Sequence, residues 1–377
     1  MSTMTKRPRR IRGVSAVALV AAGLLAVPAA ASAGGAWSVQ PEPFEAGYLQ
    51  DLAQLDEHTT WAVGDQWTAA GDRPVLVGKD DRDGRGWQVV PTPADSRDGE
   101  WFNNVDASSA GDVWAVGGSS TPGDTDVPAV HWDGTAWISA DIPVPENCST
   151  GQHVAAVAPD DAWAGGWYCV PDDSGTFLPL LRHWDGSSWT AVELPPGADF
   201  ENITAVEATS ATDVWALGYS SGDQPRAMHY DGSTWTPTPV PYAGVYGEFY
   251  DVAAKAPDDV WAVGRVLIDE NDRGHALVMH YDGTAWRQVT APAEAGRLGS
   301  VALTPDGIAA VGQDVSRTES LVLTGNAAGL TLRSMPDIKG TAPNLNGITV
   351  RDGAITVVGS VPTRRGSITP LIAVSPL

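Results

Sequence analysis

DVWAVG, residues Asp112–Gly117, returns as DVWALG at Asp213–Gly218 and as DVWAVG at Asp259–Gly264. TTWAVG at Thr59–Gly64 and DAWAGG at Asp161–Gly166 are close variants. Two weaker copies extend the series: GIAAVG at Gly307–Gly312 and GAITVVG at Gly353–Gly359. The closing glycines are 53, 49, 52, 46, 48 and 47 residues apart. A fixed period of this length marks a repeat architecture, in which each unit buries its apolar faces on its neighbours. Seven units of about 49 residues fill residues 34–377.

A second signature alternates with the first. A tryptophan is followed six residues later by a proline at Trp37/Pro43, Trp87/Pro93, Trp137/Pro143, Trp189/Pro195, Trp235/Pro241 and Trp286/Pro292. Each unit divides into four short β-branched and aromatic runs. In the second unit these are Phe102–Ala107, Val113–Gly117, Ala129–Trp132 and Trp137–Ile142. Asp133-Gly134 signals a tight turn between the last two, and it recurs at Asp83, Asp185, Asp231 and Asp282. No useful helical periodicity appears after the N-terminal segment. The expected fold is all-β: a seven-bladed β-propeller of four-stranded antiparallel blades.

The seventh unit ends at Pro370–Leu377, which matches a third strand, and no fourth follows it. Residues 36–41, around Trp37, have the register of a fourth strand. They are expected to pair with the C-terminal strand and close the ring, removing two exposed edges.

The double glycine after the second strand, the aromatic-Asp of the third and the Trp of the fourth resemble kelch repeats. That family includes the central propeller of galactose-oxidase-like proteins, and the resemblance covers nearly all of residues 34–377. It implies the fold and little about activity. The chain departs from the kelch pattern in the second-strand Trp114, Trp163, Trp215 and Trp261. The Asp-Gly-x-x-Trp turn distantly resembles the Asp-box of sialidase-like propellers, with different spacing.

Residues 1–33 read as a secretory signal: a cationic start with Lys6, Arg7, Arg9, Arg10 and Arg12, an apolar Val14–Ala30, and Ala31-Ser32-Ala33 as a cleavage site. The expectation is a secreted, extracellular single domain at 34–377, with no membrane insertion. Five of the 23 basic residues and none of the 46 acidic ones precede residue 34, so residues 34–377 carry a formal charge of −28. That charge argues against nucleic acid as a partner. Cys148 and Cys169 are the two cysteines, and in an exported chain they are expected to form a disulfide.

Residues recurring in every unit read as architecture. His131, His183, His229 and His280 hold one repeated position and lie on a ring, so no metal site is expected from them. No cofactor is expected either, and enzyme signatures are weak: the chain has no HExxH motif, P-loop or nucleophile elbow. Singular residues carry the site hypothesis. Aromatics in the segments on one face, Trp67, Trp101, Trp167, Tyr168, Tyr219 and Tyr246, are the candidate ligand contacts. Ten residues before the second-strand tryptophans lie Asp51, Asn104, His153, Ala205 and Asp251, with Asn346 as the counterpart in unit 7. The leading expectation is a monomeric binding module for extracellular glycan or a cell-surface protein. The alternatives are a polysaccharide hydrolase or lyase using Asp51, Asp251 and His153 as catalytic groups, and a protein–protein scaffold.

Overall fold

The computed structural model describes residues 36–69, 71–93, 96–119, 121, 125–144, 149–169, 176–363 and 366–377. Residues 1–33 and Cys148, to which the signal and disulfide readings refer, lie outside the described residues. The described chain is all-β. Its strands form five separate four-stranded antiparallel sheets, one eight-stranded sheet and one two-stranded sheet.

The third unit from the C-terminus shows the pattern. Inner strand Tyr246–Ala256 pairs with Asp259–Leu267, which pairs with His275–Tyr281, which pairs with the short outer Trp286–Gln288. The eight-stranded sheet holds two such sets, joined at the register pair Thr150–Gly118. In the second unit the outer strand is shorter than its sequence pattern, Trp137–Ser139, and Ile142–Pro143 pairs instead with Asp126–Val127. The turns before the outer strands follow one rule. Asp133 Oδ1 accepts the amides of Thr135 at 2.8 Å and Ala136 at 2.9 Å, and Gly134 has φ of 90°, a conformation that favours glycine.

Ser38–Val39 pairs antiparallel with the C-terminal strand Ile368–Pro376, Ser38 opposite Val374 and Val39 opposite Ala373. The Gln40 amide continues the ladder to the Ile372 carbonyl at 2.9 Å. The sheet so formed meets the first one: Val358 and Ile372 share a core cluster with Leu49, Leu52 and Val77.

Aromatic stacking joins successive units. Trp61, Trp114, Trp163 and Trp215 each pack edge-on against the outer-strand tryptophan of the following unit, Trp137, Trp189, Trp235 and Trp286, at centroid separations of 5.2, 5.1, 5.4 and 5.4 Å. The repeated histidines lie against these rings. His131 lies 4.1 Å from Trp114 and its Nε2 is 2.6 Å from Asp112 Oδ1. His183, His229 and His280 repeat this with Asp161, Asp213 and Asp259 at 2.9, 2.5 and 2.8 Å. Each imidazole is held between a carboxylate and an indole of its own unit. In the first unit Gly78 stands opposite Trp61 where the other units place histidine, and the indole lies over it, 3.0 Å from where a Cβ would stand.

Candidate functional site

Every inner strand carries a register shift near its start. It falls between Leu49 and Asp51, Phe102 and Asn104, Gly151 and His153, Ile203 and Ala205, Phe249 and Asp251, Leu298 and Ser300, and Leu345 and Gly347. A bulge inserts one residue and re-aims the side chains around it. Here it turns two consecutive side chains toward the neighbouring inner strand.

The bulged residues donate. Asn103 Nδ2 reaches the Gly151 carbonyl at 2.9 Å, Thr204 Oγ1 the Phe249 carbonyl at 2.6 Å, and Asn346 Nδ2 the Leu49 carbonyl at 2.8 Å. The residues after them accept. Asp51 Oδ2 takes the Val105 amide at 3.1 Å and Asn104 Nδ2 at 2.6 Å; Asn104 Oδ1 takes the Val154 amide at 2.8 Å; Asp251 Oδ2 takes the Val301 amide at 2.7 Å. Two residues further on, Asp106 accepts the Ala156 amide at 2.8 Å and Glu207 that of Ala254. The sequence count placed Asn346 in the accepting layer. It is the bulged residue of its strand, and Gly347 occupies the next position, because the hairpin that follows is one residue shorter than in the tryptophan-bearing units: Thr349 pairs with Thr356, where Asp106 pairs with Trp114.

His153 breaks the neighbour-to-neighbour pattern. Its Nε2 crosses to Asp251 Oδ1, two units on, at 2.9 Å. Above this layer opens a cavity of about 450 Å³, and below it one of about 320 Å³. Asp51, Asn104, His153, Asp251 and Ser300 line both, so they form the partition.

The partition is strongly coupled electrostatically. Burial pushes the Asp51 carboxyl up to about 7, with the Val105 amide opposing and the Asp251 charge adding to the rise. Burial also raises Asp106, and it raises Glu207 well above the carboxylate range, with Asp106 and Asp251 adding to the Glu207 shift. Burial opposes the charge on His153, but the Asp251 hydrogen bond and the negative charges of Asp251, Asp51 and Glu207 outweigh it and raise the imidazole to about 9.

The stability consequence has one sign. Raised carboxyls hold protons in the folded state that the unfolded chain has released, so stability falls as pH rises from the usual carboxylate range through about 7. The raised imidazole contributes stability that is complete below 6.5 and is lost as pH passes about 9. Thermal melts should therefore show a higher midpoint at about pH 5.5 than at about pH 9.5. Asp51→Asn should flatten the lower half of that slope and His153→Gln the upper half. A midpoint that climbs over this interval contradicts the assignment.

The upper cavity takes in Asp51, His153, Asp251, Trp167 and Tyr219 from the residues singled out by sequence. Trp67, Trp101, Tyr168 and Tyr246 do not line it. Trp67 lies edge-on to Tyr48 and donates to Asp65 at 2.9 Å. Trp101 covers Gly118, where a Cβ would stand 2.6 Å from its ring. Tyr168 alternates with Trp167 to the other face of its strand and packs on the core shared by the second and third units. Tyr246 lies under the Arg265 guanidinium, 5.0 Å from its ring centroid. Sequence reasoning did not assign Asn202, Glu248 or Arg297 to the site, and all three line the cavity, as does Tyr250, an aromatic of the segments on that face. Glu248 is held by Arg265 at 3.1 Å and by the Tyr250 hydroxyl. Burial and then the Glu248 charge push the Tyr250 phenol far up, which suits a hydrogen-bond donor and not a phenolate.

No protein-family model matches the sequence, and no curated protein matches it significantly. Solved structures do match in fold. One is a chain in a crystal structure of a mitotic checkpoint complex, 10% identical, with a TM-score of 0.56 over 97% of this chain and 98% of that one. Another is the extracellular domain of a protein described as a hybrid two-component system from B. thetaiotaomicron, 12% identical, with a TM-score of 0.55 over 89% of this chain. The chain spans 39% of that structure's length. Both are β-propeller-like, and at this identity the likeness is one of fold alone.

Proposed function

We propose that residues 34–377 form an exported, kelch-like, seven-bladed ring closed by the N-terminal strand, and that the ring binds carbohydrate in its upper cavity. The carrying observation is the wall of that cavity: Trp167, Tyr219 and Tyr250 supply aromatic faces among the amides of Asn103, Asn202 and Asn346. Flat apolar faces between fixed hydrogen-bonding groups suit a sugar ring, which is apolar on its faces and hydroxylated at its rim. Pairing of Ser38–Val39 with the last strand and the bond from Asn346 to Leu49 support closure. A Cys148–Cys169 disulfide belongs to the same reading, and peptide mapping without reduction checks it.

A hydrolase has one observation in its favour, the Asp51 carboxyl raised to about 7, within the range of a general acid. Against it, Asp51 Oδ2 already accepts two hydrogen bonds and Asp251 is taken by His153 and two amides.

A glycan array run beside a reducing-end release assay separates the two. The expected result is binding without turnover. Trp167→Ala and Tyr219→Ala should each weaken binding about tenfold or more, the effect of losing an aromatic anchor worth 1.4 kcal/mol or above. Asp51→Asn should change affinity little. Turnover that Asp51→Asn abolishes would replace this reading with the hydrolase. Absence of any glycan bound would leave the protein-partner alternative.

A further inference from the structure

We propose that the carbohydrate of the upper cavity carries a carboxylate, as a uronic acid does, and that Arg297 reads it; this rests on the carbohydrate reading above.

The argument begins with the sixth unit's inner strand, Ala295–Thr304. It bears two register shifts; the second matches the bulge of the other six inner strands, and the first, between Ala295 and Arg297, has no counterpart in them. That shift, at Gly296, sets Arg297 at the cavity wall. The second shift puts Gly299 at the position where other units place Gln50, Asn103, Thr204, Tyr250 and Asn346. Each of those fills wall space with a side chain. A Cβ built on Gly299 meets nothing within 4 Å. The wall is therefore recessed beside an arginine.

The charges inside the cavity are otherwise matched. Glu248 is met by Arg265, and Asp251 by His153. Asp51 is served by Asn104 and the Val105 amide. Arg297 ion-pairs with none of the described residues; its guanidinium lies 5.9 Å over the Tyr250 ring, whose hydroxyl is engaged by Glu248. Among the described residues lining the cavity it is the one unmatched cation, in a chain whose formal net charge is −23. A guanidinium offers a planar fork of donors that fits the two oxygens of a carboxylate. A single fork with no second cation beside it suits one negative charge better than a phosphate.

A second group asks for the sugar's hydroxyls. Asn202 is 6% exposed, lines the same cavity, and its Oδ1 is buried without a hydrogen-bond partner, while its Nδ2 faces the Tyr219 hydroxyl at 3.5 Å. A buried acceptor left unmet is costly. A hydroxyl donated by the ligand satisfies it, so the ligand needs both an anionic group and hydroxyl donors.

The test uses galacturonate and galactose, each as monosaccharide and as trisaccharide, with galactose 6-sulfate as a further arm, titrated calorimetrically into the exported protein. Galacturonates should bind at least about tenfold tighter than the neutral sugars, about 1.4 kcal/mol. Arg297→Gln should reduce them to the neutral level, and Arg297→Lys should restore part of the preference. Gly299→Asn, which rebuilds the side chain that other units carry without touching the arginine, should abolish galacturonate binding and leave the thermal midpoint unchanged. Neutral and acidic sugars binding alike, or a preference that survives Arg297→Gln, overturns the proposal. Tighter binding of the sulfate overturns the carboxylate assignment. Neutral sugars bound through Trp167 and Tyr219 with no role for Arg297 would sink this inference and leave the carbohydrate reading standing; no sugar bound in any arm sinks both.

Discussion

Deleting residues 36–42 should lower the thermal midpoint by about 5 °C or more and send the protein into oligomers, although these residues look like a tail. They carry more than a two-residue strand. Trp37 packs into the cluster that holds Ile338, Leu345, Val357 and Leu371, and Arg333 lies 5.8 Å over its ring. Glu42 pairs with Lys339. Without them the strand Ile368–Pro376 becomes an edge whose Leu371, Ile372 and Ala373 are at most 1% exposed in the intact fold. An apolar edge with free amides and carbonyls recruits another strand. Differential scanning calorimetry reads the first effect and light scattering the second. Trp37→Ala should reproduce part of the loss of midpoint and none of the oligomerisation, because it keeps the ladder. A truncated protein that stays monomeric and melts within about 2 °C of the full chain would deny the strand its role, since losing a paired strand and a packed indole costs several kcal/mol.

The sheets were legible in the sequence because their punctuation is chemical. Asp-Gly needs its turn, and tryptophan needs a neighbouring sheet to bury it, so both recur at fixed places. The N-terminal pairing was legible for the same reason: Trp37 and Pro43 keep the outer-strand spacing far from any unit of their own. The site was only half legible. The inner-strand bulges insert a residue with no compositional mark, being Gln50, Asn103, Thr204, Tyr250, Gly299 and Asn346 in different units. A count back from the second strand misplaces Asn346 by one, because the seventh unit's hairpin is a residue shorter, and it passes over Arg297. Second strands that end at their closing glycines leave Trp67, Trp167, Tyr168 and Tyr219 beyond the sheet. The observed strands run on, to Thr68, Cys169 and Leu267; strand alternation sends Tyr168 to the face opposite Trp167, and Trp67 shares the parity of Trp167 but stands two residues further along its strand. The usable signal was the residue just after the closing glycine. Trp167 and Tyr219 hold that position and line the cavity, whereas Trp67, three residues past Gly64, packs on Tyr48.

Trp215→Ala should cost about 3–5 kcal/mol and drop the thermal midpoint by about 5 °C or more, with no direct effect on the cavity. Trp215 is fully buried. One face lies on His229 at 4.5 Å, and its edge meets Trp286 at 5.4 Å and 84°, with Tyr281 at 4.8 Å. The indole thus joins its own unit to the next, and truncation leaves a void on both sides of that seam. The neighbours cannot close it. His229 is tied to Asp213, which also receives the Thr209 hydroxyl, and Trp286 is tied through Nε1 to Thr238 at 3.2 Å. Trp215→Phe keeps an aromatic ring in the seam and should lose roughly half as much. Trp167 is the contrast within the same chain. It contacts Phe177, itself 42% exposed, and borders the cavity, so Trp167→Ala should leave the midpoint within about 2 °C while weakening ligand. Chemical denaturation of the three variants gives the ranking directly. If Trp167→Ala proved the more destabilising, the division between repeated tryptophans that hold units together and singular ones that meet ligand would fail, and the cavity would lose its aromatic argument with it.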